Sequence, residues 1–280
     1  MDKRIVIVEF STADGQLKRL EGIECKFNVQ KLMCAIMNKA QISIANLAKD
    51  DINYLTTYTS QFIAVGQHKT IKIYAGYEKT GVSQIFAGDI VRAIPTMPPD
   101  IWLNCDALSG YYLNKTPISK TISGDVPIQS VCEQTSNILG LSLNFEATIE
   151  KSISGFNFTG DQNKLIKSLN ELGGITAYED DGVLNVVNTG MPSNATGMRY
   201  INETSGMIGN PNPDPLGVEI TVLLDNSLKI GQKIYLESIS EPSCNGEYFI
   251  YELNHTGDLR GHDFYTRIKA RRYRNGITGS

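Results

Sequence analysis

Residues 251–272 read YELNHTGDLRGHDFYTRIKARR, a stretch that holds His255 and His262, two of the three histidines, together with Asp258 and Asp263. Imidazole and carboxylate are donors that zinc and other transition metals take, so a metal centre is the first chemistry to test. The spacing argues against one. His255 and His262 match neither an i, i+4 pair on one helix face nor a Cys/His pattern, and a metal needs three or four ligands held by fixed partners. After them, Phe264, Thr266, Ile268 and Ala270 alternate with Tyr265, Arg267, Lys269 and Arg271, and Phe249, Tyr251 and Leu253 alternate before them. That is the period of half-buried strands. The residues from Asn254 to Asp263 are then predicted as a hairpin loop, with Gly257 and Gly261 at positive-φ positions and Asn254 and Asp258 bonding nearby backbone donors. The loop is expected to bind no metal.

The run Glu179, Asp180, Asp181 is the second candidate, since paired carboxylates perform glycoside hydrolysis. It precedes Gly182 in a hairpin signal, and at a solvated tip such side chains have little reason to acquire a raised pKa. No G-x-G-x-x-G, phosphate-cradling G-x-x-x-x-G-K-[ST] or G-x-S-x-G motif occurs. His68 stands alone between two predicted strands, as a surface or turn residue. Cys25, Cys34, Cys105, Cys132 and Cys244 are odd in number and form no C-x-x-C pair, so they read as reduced, buried apolar groups. No catalytic residue, cofactor site or metal site is assigned, and the chain is expected not to be an enzyme.

The elements that would position these residues come from 280 residues with 41% apolar content, enough for two or three small domains. A net charge of −4, from 26 Lys and Arg against 30 Asp and Glu, gives no reason to expect a nucleic-acid or acidic-membrane binder. The basic run of Arg267, Lys269, Arg271, Arg272 and Arg274 is the local exception, read as a solvated face or as ion-pairing to an acidic neighbour. No apolar run approaches the ~20 residues of a membrane span, and the start lacks a signal-peptide pattern, so a cytoplasmic origin is expected.

Alternation at Ile23 to Val29, Ile42 and Ile44, and Ile71 and Ile73 predicts strands, with further ones at 61–65, 69–77 and 84–94 and a short helix at 49–57. The Pro-rich residues 94–100 mark a boundary. From Asp125 the period becomes helical: Ile128, Val131, Cys132, Thr135, Ile138 and Leu139 share a stripe, with Asp125 as cap and Gly140 as stop. A strand at 141–145, a strand and turn at 155–161, a helix at 162–174 and a hairpin turning at Asp181 and Gly182 complete a small α/β unit. Residues 188–215 read as a long connection, after which strands resume at 218–224, 233–238, 247–255 and 263–272.

Asn46-Leu47 before the short helix, Ala75-Gly76-Tyr77, and Phe86, Gly88 and Ile90 resemble the first domain of bacteriophage central tail hub, or baseplate hub, proteins of the late-control protein D and Mu-like kind. The likeness continues in Gly206-Met207-Ile208-Gly209-Asn210-Pro211, in Leu228 to Gly231, and in His255-Thr256-Gly257-Asp258. One departure is Ala48 where a Ser or Thr cap is usual, which leaves Asn46 as the nearest capping side chain. The resemblance implies a mainly β fold with an α+β insert: a tube-like β-barrel at 1–99, a linking strand and α/β domain at 100–204, and a second tube-like barrel at 205–280 that residues 100–108 join. It implies a homotrimeric ring adapting the six-fold tail tube to the three-fold spike. Its partners would be the tube, the spike and other baseplate proteins, with DNA passing through unbound. The setting implied is the virion after assembly in host cytoplasm, with no membrane insertion. The insert is similar to secretin N-domain modules. A tail-associated cell-wall hydrolase and a carbohydrate-binding module remain the alternatives.

Overall fold

The computed structural model describes residues 2–12, 14–56, 69–115 and 117–273, apart from the side chains of 113 and 114. In chain order the elements are β1 (Arg4–Ser11), β2 (Leu17–Glu21), β3 (Cys25–Leu32), β4 (Lys39–Ala45), α1 (Lys49–Leu55), β5 (Thr70–Tyr77), β6 (Gly81–Pro95), β7 (Trp102–Leu108), α2 (Tyr111–Lys115), β8 (Ile118–Pro127), α3 (Ile128–Leu139), β9 (Ser142–Phe145), β10 (Ser152–Gly160), α4 (Gln162–Glu171), β11 (Ile175–Asp180), β12 (Val183–Asn188), β13 (Arg199–Ile201), β14 (Asn212–Asp214), β15 (Gly217–Leu223), β16 (Lys233–Leu236), β17 (Gly246–Asp258) and β18 (Phe264–Arg271). The protein is mainly β, and among the described residues the pairing is antiparallel except where β9 meets β12 and β13 meets β16.

Among the described residues one sheet runs β14-β15-β18-β17-β3-β4-β7-β6-β5-β1-β2, with β16 bonded to β17 and β13 to β16. The strand β17 bonds along most of its length on both flanks, to β18 on one side and to β16 and then β3 on the other. Three hydrophobic cores accompany this arrangement. The first gathers Val8, Phe10, Phe27, Ile42, Ile73 and Leu103, the second Ile220, Ile234, Tyr248, Ile250 and Ile268, and the third packs α3 and α4 over β8 to β12 through Val131, Leu165, Leu169 and Val186. Leu55 is the buried anchor of α1 in the first core.

Several expectations are corrected. Residues 102–108, expected to join the strands after 205, pair instead with β4 and β6 and bury Leu103, Cys105 and Ala107 in the first core. Asp125 does not cap α3; it lies in β8, where its carboxylate accepts from Ser154 Oγ, and Pro127 takes the cap position. Ile138 is exposed, and Ser136 takes its place on the buried stripe. The connection at 188–215 contains β13, a short 3-10 turn at Glu203–Ser205 and β14. Strand β8 has no counterpart in the sequence reading. The predicted strand at 61–65 and His68 lie outside the described residues, as does Arg274.

The hairpin of β17 and β18 departs most from expectation. Strand β17 continues to Asp258, so His255 is not in a loop; it is 2% exposed, on the buried face. A bulge between Ile250 and Glu252 shifts the inward set from Tyr248 and Ile250 to Leu253 and His255, which leaves Tyr251 half-buried. Gly257 has no positive φ; glycine is needed because a Cβ there would lie 2.3 Å from the Phe27 ring. Gly261 has none either, and Asp258 does accept from the amides of Arg260 and Gly261. The carboxamide oxygen of Asn254 has no partner among the described residues. Asn46 does not cap α1, and Ala48 leaves the cap without a side-chain bond; Asn46 sits at φ 54°, a left-handed position that asparagine tolerates.

Candidate functional site

Strand alternation sends one set of side chains into the cores and the other outward, and pairing between strands decides which outward residues become neighbours. Across β15, β18, β17, β3, β4 and β7 the outward set forms one polar face. Where β3 meets β17, Asn28 Nδ2 donates to Thr256 Oγ1 at 3.3 Å, Gln30 Nε2 to Glu252 Oε1 at 3.1 Å, and Lys26 pairs with Asp258 at 3.2 Å. Further along, Gln41 donates to Asp106 at 2.9 Å and Ser43 to Asn104 at 2.6 Å. On the other flank Lys269 pairs with Glu252 at 3.2 Å and Arg267 with Glu219 at 3.3 Å. A shallow depression of about 330 Å³ lies over Lys26, Asn28, Gln41, Ser43, Thr256 and Asp258. The face is dense in amides and hydroxyls, and the charges named on it are matched in ion pairs except for Asp106, which Gln41 holds. It can hydrogen-bond water or a polar polymer while offering little net attraction to a polyanion.

The basic run belongs partly to this surface. Arg267 and Lys269 are engaged in the pairs just named, Arg271 lies over the Tyr251 ring at 5.5 Å, and Arg272 lies over Tyr248 at 5.2 Å while its Nε donates to the Tyr248 hydroxyl at 3.1 Å.

Behind this sheet lies an ionic joint that the sequence reading placed in solvent. The β11–β12 hairpin turns on Asp181, at φ 50°, and Gly182, at φ 82°, as its Asp-Gly pair predicts. Its acidic tip is inserted rather than solvated. Lys31, at the buried end of β3, places its Nζ 2.8 Å from Asp180 and 2.9 Å from Asp181, and Lys229 reaches Asp181 at 3.1 Å. Asn38 Nδ2 donates to Asp180 at 3.2 Å, and Ser109 Oγ donates to Glu179 at 2.9 Å. Burial pushes the Glu179 and Asp180 carboxyls up from their ordinary values. It pushes Asp181 the same way, but Lys31 and Lys229 outweigh it and hold Asp181 low. Burial alone would lower Lys31, and its two carboxylates keep it above its usual value. The joint binds the α/β unit to both β cores: Tyr178, on the same hairpin, is buried in the second core and donates to the carbonyl of Ile230 at 3.3 Å.

His255 lies where the first and second cores adjoin. Its Nδ1 is 2.8 Å from Thr266 Oγ1, which also accepts from the amide of Asp225. Burial, with Lys31 and Lys229 adding to it, pushes this imidazole down to about 3. His262 is exposed in the loop beyond, so the two histidines face different surroundings. Among the described residues no three His, Cys, Asp or Glu side chains gather in a way that could hold a metal. The five cysteines are free; four are buried and Cys34 is half-buried. The hub-like motifs find physical reasons here. Gly76 and Asn226 meet because Asn226 Nδ2 donates to the carbonyl of Ala75 at 2.7 Å, and a Cβ on Gly76 would lie 2.1 Å from the Gly81 carbonyl oxygen.

Among the described residues no helix is long and apolar enough to cross a membrane. A family model described as "Baseplate hub gp41" matches residues 5–270. No curated protein sequence matches the chain. Among solved structures the fold is similar to the 43 kDa tail protein of prophage MuSo2 from Shewanella oneidensis, with a TM-score of 0.64 at 9% identity over 97% of both chains. It is similar to a tail protein from Neisseria meningitidis, with a TM-score of 0.64 at 9% identity over 95% of this chain and 96% of that one. A type VI secretion component from Escherichia coli, described as similar to the T4 phage tail proteins gp27 and gp5, follows at a TM-score of 0.57 and 9% identity, covering 90% of this chain and 74% of its own.

Proposed function

The chain belongs to the baseplate hub gp41 family, structural proteins of the bacteriophage tail, and from that premise we propose that three copies close into a ring adapting the six-fold tail tube to the three-fold spike. Each copy contributes two tube-like barrels, one from residues 1–99 with β7 added and one from residues 205–280, so that three chains present six similar units. The α/β unit within 100–204 sits outside them. A barrel of the first unit is supported by the way β1 and β5 return to the start of β18: Arg4 donates to the carbonyls of Asp258, Gly261 and His262, and the Tyr77 ring meets the Phe264 ring at 5.2 Å. A cyclic trimer has heterologous contacts, so the first barrel of each copy meets the second barrel of the next.

The observation that carries this reading is the polar face stitched across the β3–β17 junction. Two units sharing one uninterrupted outward face make a wall segment, and its balanced charge suits a channel through which DNA passes without being held. The tube, the spike and other baseplate proteins are the partners, and the virion is its final setting after assembly in the host cytoplasm. No reaction is assigned: Glu179 and Asp181, the acids a hydrolase reading would use, are engaged in the joint with Ser109, Lys31 and Lys229. An image of the assembled tail tests the proposal. Three copies at the tube-to-spike junction, with Asn28 and Gln41 facing the lumen, are expected; six copies, or absence from that junction, would sink it.

A further inference from the structure

Strand edges left unpaired invite other strands, and proteins guard them with charge, proline or brevity. This chain guards most of its edges. Strand β2 carries Lys18, Arg19 and Glu21 in five residues, β13 has three residues, and β14 has three with Pro213 among them. Strand β10 differs. It reads SISGFNFTG over nine residues, without a charge or a proline, and pairs only with β8. Among the described residues no backbone hydrogen bond reaches the outer edge of either strand of this two-stranded sheet. A bulge at Gly155, with φ 82°, interrupts it and leaves Phe156 to Gly160 as the regular part. Ile153, Phe156 and Phe158 point under the sheet into the third core, and Ser154, Asn157 and Thr159 are exposed above it.

We infer that in the free chain the open edge of β10 is covered by β10 of a second copy, antiparallel about a two-fold axis. The occupant follows from complementarity. An uncharged strand meets a copy of itself without like-charge repulsion, and its alternation continues the apolar underside and the polar top across the junction. The resulting order, β8-β10-β10-β8, also ends itself. Its outer edges are β8, which carries Lys120, Asp125 and Pro127, so association closes at two copies and does not propagate. A two-fold pair and a three-fold ring with a distinct top and bottom exclude one another for the whole chain. The pairing therefore belongs to the chain before it enters a particle, and it does not rest on the ring reading.

The test is the mass of the purified full chain by sedimentation across a wide concentration range, with Asn157→Lys and, on the guarded strand, Thr121→Lys as control. Both side chains are exposed and neither makes a side-chain hydrogen bond among the described residues, so both variants should fold. A concentration-dependent dimer is expected, with its dissociation constant raised roughly tenfold or more by Asn157→Lys and left alone by Thr121→Lys. Hydrogen exchange of the β10 amides should slow with concentration in the wild type only. A wild-type monomer, or an oligomer of any size that Asn157→Lys leaves intact, overturns the inference. Amides of β10 that become protected only inside the tail would assign the edge to another protein's strand and overturn it as well. None of these results bears on the copy number at the tube-to-spike junction, so the two proposals fail separately.

Discussion

Lys31 and His255 are single residues on which the joining of the cores depends. Replacing Lys31 by Met leaves Asp180 buried without its cation, and losing one partner of a buried pair costs about 3–5 kcal/mol. Chemical denaturation should report that loss for Lys31→Met, and adding Asp180→Asn to it should recover part of the stability; two single-site effects that simply add would disprove the coupling. His255 adds a dependence on acid. Its folded pKa, about 3, lies below its ordinary value, so its stabilisation is complete above about pH 6.5 and drains away as the pH falls toward 3. The full depression corresponds to about 5 kcal/mol at most. Glu179 and Asp180, raised by burial, run the opposite way, favouring the fold as they take up protons. The difference between wild type and His255→Gln isolates the histidine: it should shrink on going from pH 7 to pH 5, and a constant difference would count against a buried neutral imidazole. The sequence showed these residues but not their surroundings. An Asp-Gly hairpin is readable from its turn chemistry; that its acidic tip finds a lysine 149 positions away in the chain is not.

At the scale of elements the readable features were those with a local cause. Helix α4 announces itself through Asp161, which accepts from the amide of Lys164, and through the stripe of Leu165, Ile166 and Leu169. Strand β18 keeps the predicted alternation throughout. Strand β17 does not, because a bulge changes its phase midway, and nothing in a period of two foretells where one extra residue will enter. Gly257 shows how a correct residue can carry a wrong reason. It was expected at a turn and lies in a strand, where the Phe27 ring occupies the space of a side chain. Gly257→Ala should cost about 1–3 kcal/mol by overpacking, and Phe27→Leu in the same chain should return part of it. Thermal melts of the single and double variants check this; an unperturbed Gly257→Ala protein would mean the ring yields freely.

For the whole molecule, the strands were largely visible in the sequence while their order was not. Residues 102–108 read as a strand, yet only the pairing to β4 and β6 assigns them to the first core, because a strand's partners are chosen by contacts remote in sequence. The polar face was hidden for the same reason: Asn28, Gln41 and Thr256 are unremarkable until three strands align them. If that face lines a channel, Asn28→Arg with Gln41→Arg should slow DNA release from assembled particles, and raising the salt should restore it, since the added attraction is screened within about 10 Å at 0.1 M. Particles that assemble normally and eject DNA at the wild-type rate would place the face elsewhere. The strand β17 holds a last consequence. Bonded along both flanks, to β3 and to β18, it couples the two large cores through rungs that lie across its length. A pull along the strands loads all of those rungs at once in shear, whereas a pull across them would unzip the rungs singly. The junction is thus strong in one direction and weak in the perpendicular one, and a tail drawn taut along that strand direction would find it at its stiffest.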